Sequence, residues 1–355
     1  KPALTVPREA AKGAKWVEPE LVAQVKFAEF TSEGAIRHGV FLGLRGDKAA
    51  KDVQAEQAAP SMRTRVRLTH PEKVLFPESG VTKAELAAYL DMAADRMGAH
   101  LFGRPVSLVR APDGVGKQTF FQKHAMKGMP KEIKLIDIAE SDGKPEEYIT
   151  LPDATAIVSA AQISALEFHL WGSKNRDLEH PDRLIFDLDP DEDLDFQVVK
   201  RAAFDIKALL ESADLTSFAM ITGGKGIHIV LNVKPKLEWG EFKQFAGDVA
   251  EQIAALDPKR FVANMSKAKR KGRIFIDYLR NGRGATAIAP YSPRAKGTAP
   301  IAVPVSWEEL KTIPAASAFK MKDMHARLNE PDPWVDYAKS AVSITKATRA
   351  KLGLD

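Results

Sequence analysis

Residues 183–190 read Arg-Leu-Ile-Phe-Asp-Leu-Asp-Pro, an apolar run that ends in two aspartates. A short apolar run of this kind predicts a β-strand. Side chains alternate along a strand, so Asp187 and Asp189 project from the same face. Two neighbouring carboxylates repel each other, and a divalent cation relieves that repulsion, so we predict a metal-binding pair. The alternative is an exposed acidic turn continued by four further acids, Asp191, Glu192, Asp193 and Asp195.

The composition excludes several classes of protein. The chain has 355 residues, enough for one large or two modest domains, and it has no cysteine. The lack of cysteine excludes a disulfide scaffold, a thiolate nucleophile and cysteine-ligated zinc, and it fits a reducing compartment. No apolar run approaches the roughly 18 to 20 residues of a membrane span, and the first residues form no signal peptide. We expect a soluble cytoplasmic protein without a membrane partner, cut from a longer parent because the chain starts at Lys1.

A basic run lies between Lys259 and Lys296. It holds eleven lysines and arginines and a single acid, Asp277, on the strand-like residues 273–278. A solvated face usually mixes charges of both signs, so this run predicts a surface that binds phosphate groups. A merely solubilising basic loop is the alternative.

Strand, helix and hairpin patterns occur together along the rest of the chain. Two capping boxes, Thr82–Glu85 and Ser306–Glu309, each predict the start of a helix. The glycine-rich turn at 223–226 either approaches a phosphate or makes a plain tight hairpin. Mixed strands and helices with hairpins predict an α+β fold. Other strands are predicted at 66–68, 105–110, 118–124, 166–170, 218–222 and 227–233, and other helices near 153–165, 196–210 and 240–255.

Asp187, Asp189 and Asp277, on two predicted strands, would bind two divalent ions. Two such ions hold the attacking and leaving oxygens of a phosphoryl displacement, and polymerases and nucleases both use this arrangement. A basic channel beside the ions would hold a nucleic-acid backbone. From the residues alone, both classes of enzyme stay open.

Four segments, in order, resemble the polymerase domain of bacterial DNA ligase D, a member of the archaeo-eukaryotic primase superfamily. They are Leu184 to Pro190, Thr222-Gly-Gly-Lys-Gly-Ile-His228, Ile274-Phe-Ile-Asp-Tyr278 and Ala289-Pro-Tyr-Ser-Pro-Arg294. The resemblance runs from about 65 to 334, about three quarters of the chain. It implies a primase-like core of mixed or antiparallel sheets flanked by helices, with an RRM-like palm and two lobes forming one cleft.

The first residues resemble a different domain. Trp16-Val-Glu-Pro19 and the segment from Arg37 to Arg45 look like the end of a ligase oligonucleotide-binding domain. We therefore expect residues 1–60 to be a remnant of that domain plus a linker, 61–335 the polymerase domain, and 336–355 a C-terminal tail. The ligase core of the parent chain would be a partner, and no end-sealing activity is expected from this chain alone.

The resemblance implies a repair polymerase of bacterial non-homologous end joining, located at the nucleoid. Its substrates would be gapped or broken double-stranded DNA with a 5′-phosphate and NTPs or dNTPs, with ribonucleotides preferred. Two Mn²⁺ or Mg²⁺ ions would be its cofactors, and the end-binding protein Ku would be its partner. A two-metal nuclease and a non-catalytic DNA end-binding module are the alternatives.

The resemblance also implies roles for individual residues. Asp187 and Asp189 would hold both metals, and Asp277 would complete the catalytic one. Lys73 and Lys83 would bind the DNA 5′-phosphate. Phe120 and Phe121 match aromatic residues that stack on bases, and since neighbours on a strand face opposite sides, we expect one in the core and take Phe121 as the stacking residue. The other nucleotide contacts implied are His169, Thr222, Lys225, His228, Arg280 and Arg294.

Overall fold

The computed structural model describes residues 20–26, 29–30, 36–37, 40–45, 65–140 and 143–354. The chain divides into two compact units, Lys1–Arg63 and Thr64–Asp355. In the first unit, β1 (Val22–Lys26) pairs antiparallel with β4 (Val40–Arg45), and β2 (Glu29–Phe30) pairs with β3 (Ile36–Arg37). The Trp16–Pro19 segment and the linker expected before residue 60 lie outside the described residues.

The second unit contains the remaining strands. They are β5 (Val74–Phe76), β6 (Val81–Thr82), β7 (Val106–Arg110), β8 (Phe120–Gln122), β9 (Lys134–Ala139), β10 (Pro145–Thr150), β11 (Ala165–Trp171), β12 (Arg183–Pro190), β13 (Phe218–Ile221), β14 (Ile227–Asn232), β15 (Phe261–Val262), β16 (Ile274–Asp277), β17 (Thr286–Ile288) and β18 (Val303–Val305).

Helices surround these strands. The bounds are α1 (Lys83–Leu101), α2 (Ala154–Ser159), α3 (Phe196–Ser212), α4 (Trp239–Leu256), α5 (Trp307–Leu310), α6 (Met324–Asn329) and α7 (Lys346–Lys351). Both predicted capping boxes form, at the start of α1 and of α5. In each box the hydroxyl accepts a backbone N–H that the first turn would otherwise leave unpaired, which fixes where the helix begins.

Two sheets organise the second unit. A six-stranded sheet has the order β15-β16-β12-β14-β13-β18, and a four-stranded sheet has the order β17-β11-β7-β8. All pairs in both sheets are antiparallel except β15 with β16. The strand of residues 183–190 is therefore central, because β12 has β14 on one side and β16 on the other.

One hydrophobic core joins these layers. It includes fully buried residues from both sheets, such as Phe168 on β11 and Phe186 on β12, and from the long helices, such as Leu90 on α1 and Phe245 on α4. Burying an aromatic or leucine side chain stabilises the fold by roughly 1.5–3 kcal/mol. Two sheets held by a shared core give the site residues a rigid base.

The predicted fold class is confirmed: antiparallel and mixed sheets are flanked by helices. The strand predicted at 66–68 is wrong, because residues 65–70 form bends and the first strand of this unit is β5. The segment expected as a tail, 336–355, is folded onto the second unit as far as it is described. There Val342 bridges to Val233, Leu352 is buried, and Arg349 pairs with Asp248 at 2.7 Å.

Candidate active site

A row of polar side chains crosses three neighbouring strands of the six-stranded sheet. Asp187 on β12 lies opposite His228 on β14 and opposite Asp277 on β16. The His228 Nε2 and Asp187 Oδ2 atoms are 3.4 Å apart. Side chains at directly paired positions lie on one face, so the register alone brings these three together. The sequence alone could not show that these three side chains lie together.

Arginines stand against the carboxylates. Arg280 Nε is 3.2 Å from Asp277 Oδ2 and 3.8 Å from Asp187 Oδ2, so it bridges the two acids. Arg270 Nη1 is 3.3 Å from Asp189 Oδ2, and its guanidinium lies 3.7 Å from the Phe275 ring centroid. Arg280 and Arg270 both come from the basic run, which therefore surrounds the acids and neutralises them.

The pKa values of the three acids respond to burial and to one another. Burial raises the pKa of Asp189 above its ordinary value, and repulsion from Asp187 adds to the effect. Burial likewise raises the pKa of Asp277, against the opposing charge of Arg280. For Asp187, burial works in the same direction, but His228 and Arg280 outweigh it, and the pKa falls below its ordinary value. The acids therefore lie close enough to repel one another.

The donor set fits a hard divalent cation. In the part of the chain that the structure describes, no three His, Cys, Asp or Glu side chains are grouped closely enough to hold a metal ion as they stand. Carboxylate oxygens are nevertheless the ligands that Mg²⁺ and Mn²⁺ prefer. A cation bound between Asp187, Asp189 and Asp277 would relieve the repulsion that the arginines now offset.

The glycine-rich turn between β13 and β14 packs against the acid-bearing strand. A Cβ on Gly226 would lie 2.2 Å from the Leu188 carbonyl oxygen, so only glycine fits there. Thr222 is buried, and its hydroxyl donates to the Gly226 carbonyl at 3.0 Å. Lys225 is at the exposed tip, where its Nζ pairs with Glu192 Oε1 at 2.9 Å. The turn thus brings a lysine beside the acid-bearing strand, while the Gly223 and Gly224 N–H groups donate to the Ala316 carbonyl and to the Thr222 hydroxyl.

Glu167 connects several of the predicted nucleotide contacts. It precedes His169 by two residues on β11, so both side chains lie on one face. Glu167 Oε2 is 2.8 Å from His169 Nε2, and Oε1 accepts from Arg294 Nε at 3.0 Å. Arg294 Nη1 also donates to the Thr222 carbonyl at 2.8 Å. His169, Arg294 and Thr222 are therefore held in one network that spans the two sheets.

The two phenylalanines depart from expectation. Phe120 is 41% exposed and Phe121 58% exposed, so the expected core partner is wrong. Both lie on β8, an edge strand that pairs only with β7 in its sheet, and both side chains are exposed there. Phe121 packs edge-on against His169 with ring centroids 5.8 Å apart, which brings it to the same network.

Lys73 and Lys83 line a separate cavity of about 540 Å³. Lys83 is buried, and its Nζ donates to the Thr69 and Gln162 carbonyls, each at 3.1 Å. Burial lowers the pKa of Lys83, and the charge of Lys73 adds to the effect. Lys73 pairs with the exposed Asp113 at 3.2 Å. Arg110 adds a third cation to the lining against one acid, Glu72, so the net positive charge of the cavity suits an anion.

Three residues of the site were missed in the sequence. Glu167 could have been found as the i−2 neighbour of His169 on an alternating strand. Arg270 was one of eleven basic residues, and nothing in that run distinguished it. Asn281 gave no signal: its side chain accepts from the Ile185 N–H at 2.8 Å and donates to the Ile185 carbonyl at 2.7 Å, which fixes β12 two residues before Asp187.

Comparison with known proteins agrees with the fold. The second unit is of the primase-polymerase class: residues 82–334 match the model of the LigD primase-polymerase domain. The chain belongs to the LigD primase-polymerase domain family. Residues 1–48 match the C-terminal region of ATP-dependent DNA ligases.

Two curated relatives are both called multifunctional non-homologous end joining protein LigD. The protein of Pseudomonas aeruginosa is 38% identical over 98% of this chain and 44% of its own length. The protein of Mycolicibacterium smegmatis is 32% identical over 75% of this chain and 35% of its own length. The chain thus spans less than half the length of these relatives.

A solved structure shares the fold. The polymerase domain from Mycobacterium tuberculosis ligase D in complex with DNA superposes with a TM-score of 0.72 at 28% identity, covering 79% of this chain and all of that one. Within the residues described here, no helix is long and apolar enough to cross a membrane.

Proposed function

We propose that this chain is a DNA repair polymerase of bacterial non-homologous end joining, which adds nucleotides to a primer in a DNA gap or at a break. The observation that carries the proposal is the row of Asp187, His228 and Asp277 across three strands, with Asp189 beside it. Membership of the LigD primase-polymerase family and the likeness to a DNA-bound polymerase domain support the same reaction.

Asp187 and Asp189 would hold two Mn²⁺ or Mg²⁺ ions, with Asp277 as a further ligand of one. When bound, the ions supply an activated 3′-hydroxyl nucleophile and neutralise charge on the leaving pyrophosphate. The chain's own arginines prepare the site. Arg280, 3.2 Å from Asp277, and Arg270, 3.3 Å from Asp189, offset the acids until the ions arrive.

The nucleotide would lie between the two sheets. Lys225 suits the triphosphate, since its ammonium group presents positive charge to phosphate oxygens. The Gly223 and Gly224 N–H groups hold the turn instead, because they donate to the Ala316 carbonyl and to the Thr222 hydroxyl. Thr222 would contribute by holding the turn and Arg294, because its hydroxyl and N–H both donate to the Gly226 carbonyl and its own carbonyl accepts from Arg294. His169, His228, Arg280 and Arg294 would complete the contacts, and the exposed Phe121 would stack on a base.

The cavity of Lys73 and Lys83 would bind the 5′-phosphate on the far side of a gap. The cavity holds three cations, counting Arg110. The hydrogen bonds to the Thr69 and Gln162 carbonyls fix the position of the Lys83 ammonium group, so its charge is in place before an anion binds. Wild-type protein should bind gapped DNA with a 5′-phosphate more tightly than the 5′-hydroxyl form, and Lys83→Ala should remove the difference. Equal affinity of the wild type for both forms would contradict this role.

Two protein partners are proposed: the ligase core of the parent chain and the separate protein Ku. The match of residues 1–48 to a ligase C-terminal region supports a ligase core upstream, and the end-joining relatives support Ku as the protein that presents DNA ends. We expect the work to take place at the bacterial nucleoid and expect no end sealing by this chain alone.

One gap-filling assay tests the proposed function. A labelled primer in gapped duplex should lengthen only when nucleoside triphosphate and Mn²⁺ or Mg²⁺ are both present, with ribonucleotides added faster than deoxyribonucleotides. A primer that shortens without nucleotide would instead identify a two-metal nuclease. DNA binding without any turnover would identify a non-catalytic end-binding module.

A further inference from the structure

Glu167 is less exposed than the three aspartates of the site, and its carboxylate has three hydrogen-bond partners. Its side chain is 10% exposed. Besides His169 and Arg294, it accepts the Ala295 N–H at 2.8 Å. Burial alone would raise its pKa, but the hydrogen bond from His169 and the charge of Arg294 lower the pKa to about 2. At neutral pH Glu167 is therefore ionised and can only accept hydrogen bonds.

An ionised Glu167 fixes the tautomer of His169. The short contact joins Glu167 Oε2 to His169 Nε2, so the proton of that hydrogen bond must be on Nε2. Burial lowers the pKa of His169 below its ordinary value, although Glu167 opposes the effect, and a lowered pKa favours the neutral ring. A neutral imidazole has one N–H, and it is already used. The other nitrogen, Nδ1, is left as a hydrogen-bond acceptor.

An acceptor at Nδ1 selects its partner. The oxygens of a triphosphate are acceptors and offer no hydrogen at neutral pH, so they cannot bind Nδ1. A sugar hydroxyl can donate. A base amine could also donate, but a template-directed enzyme handles all four bases, whereas a sugar hydroxyl is common to all nucleotides. His169 remains 17% exposed, so a ligand can reach it.

We infer that Glu167 holds His169 as a hydrogen-bond acceptor for a sugar hydroxyl of the incoming nucleotide, and that this pair sets the preference for ribonucleotides. Glu167 is a positioning residue and His169 makes the contact. The inference rests on the proposed function, and it names how the same site distinguishes its substrates.

The substitution Glu167→Gln changes the tautomer of His169 while it keeps the other hydrogen bonds of residue 167. Glutamine keeps an oxygen to accept from Arg294 and Ala295 but places an NH₂ group against His169 Nε2. That group donates, so the proton of His169 moves to Nδ1, which becomes a donor and opposes the hydroxyl. Any weakening of Arg294 acts on the triphosphate and affects ribo- and deoxynucleotides alike. The ratio of their kcat/KM values therefore reports only the sugar contact.

The experiment measures single-nucleotide addition to gapped DNA with an NTP, its 2′-deoxy form and its 3′-deoxy form, alongside ¹⁵N NMR of His169. Wild type should show a protonated Nε2 and discriminate against one deoxy form, which identifies the hydroxyl. Glu167→Gln should show a protonated Nδ1 and lose about five- to tenfold of that discrimination. Asp177→Asn, which removes the carboxylate partner of the surface His180, is the matched control and should leave the ratio unchanged. An unchanged ratio in Glu167→Gln overturns the inference while the proposed function stands. No addition by wild type at all overturns both.

Discussion

The two ends of strand β12 carry opposite charge in opposite surroundings. At its start, the Arg183 guanidinium is buried and lies 5.4 Å from the Trp334 ring and 5.3 Å from the Tyr337 ring. At its end, Asp187 is nearly buried, but the Asp189 side chain is 52% exposed and faces an arginine. The first cluster is closed by aromatic rings, and the second is open to solvent.

The difference distinguishes a cluster closed by packing from the proposed metal-binding cluster. Aromatic faces attract Arg183, and its Nη1 donates to the Tyr337 hydroxyl at 3.2 Å, while its Nε and Nη2 are buried without a hydrogen-bond partner. The rings close this cluster to solvent, so a ligand cannot reach those atoms. The acids at the other end are balanced by Arg270 and Arg280, long side chains that a divalent cation can replace. A charge that is offset by a movable partner suits ligand binding.

The largest expected effect comes from the open end. Asp277→Asn should reduce nucleotide addition on the order of a thousandfold, because the proposed catalytic ion would lose one carboxylate ligand. Stability should stay equal or rise, since the substitution also removes repulsion with Asp187. Primer extension and thermal unfolding measure the two outcomes. Asp193→Asn, an exposed acid in the turn after β12, is the control and should change neither.

At the closed end, around Arg183, we expect a substitution to lower stability and leave activity unchanged. Arg183→Ala should lower the free energy of unfolding by about 3 kcal/mol, because it leaves a cavity beneath Trp334 and Tyr337. Arg183→Met refills that volume and should recover most of the loss. In both variants the rate of nucleotide addition per folded molecule should match wild type. A folded Arg183→Met protein without activity would contradict the view that the closed end contributes only to stability.

A pH-dependent effect of smaller size should also arise at the closed end. Burial, with the charges of Arg183 and Arg104, holds the pKa of His100 well below its usual value near 6.5. Below pH 6.5, His100 takes up a proton in the unfolded chain but stays neutral in the folded chain. The free energy of unfolding is therefore highest above pH 6.5 and decreases as the pH falls below it.

Denaturant unfolding at pH 7.5 and pH 5.5 measures this loss. His100 should account for about 1.4 kcal/mol of it. His100→Phe keeps a ring against Trp334 and should remove that share, whereas the exposed His325→Asn should keep it. An equal acid sensitivity in wild type and His100→Phe would show that His100 does not titrate as described.

Local patterns in the sequence were enough for most of the fold. The helices at 196–212 and 239–256 and the hairpin of β13 and β14 follow from periodicity and glycine positions. The strand at 66–68 failed because three alternating residues do not show whether a neighbouring strand exists. The β9–β10 hairpin was not predicted, since both strands mix charged and apolar residues and their only run of buried residues is the second half of β10.

The site could be predicted only as far as residue types and family resemblance reach. The acids of β12 and Asp277 were identified, but their opposition across the sheet depends on a register that no local pattern encodes. Glu167 contacts Arg294, which is 127 positions away, and Asn281 contacts Ile185, which is 96 positions away. Such contacts arise from tertiary packing, which a single sequence does not display.

Binding of Mn²⁺ in the presence of nucleotide, followed by electron paramagnetic resonance, tests the central claim most directly. Wild type and Arg183→Met should each bind two ions, because the closed end of β12 takes no part in the site. Asp187→Ala should lose this binding while it remains folded, since Asp187 lies between His228 and Asp277 in the carboxylate row. Unchanged Mn²⁺ binding by Asp187→Ala would contradict the assignment of the open end of β12 as the metal-binding centre.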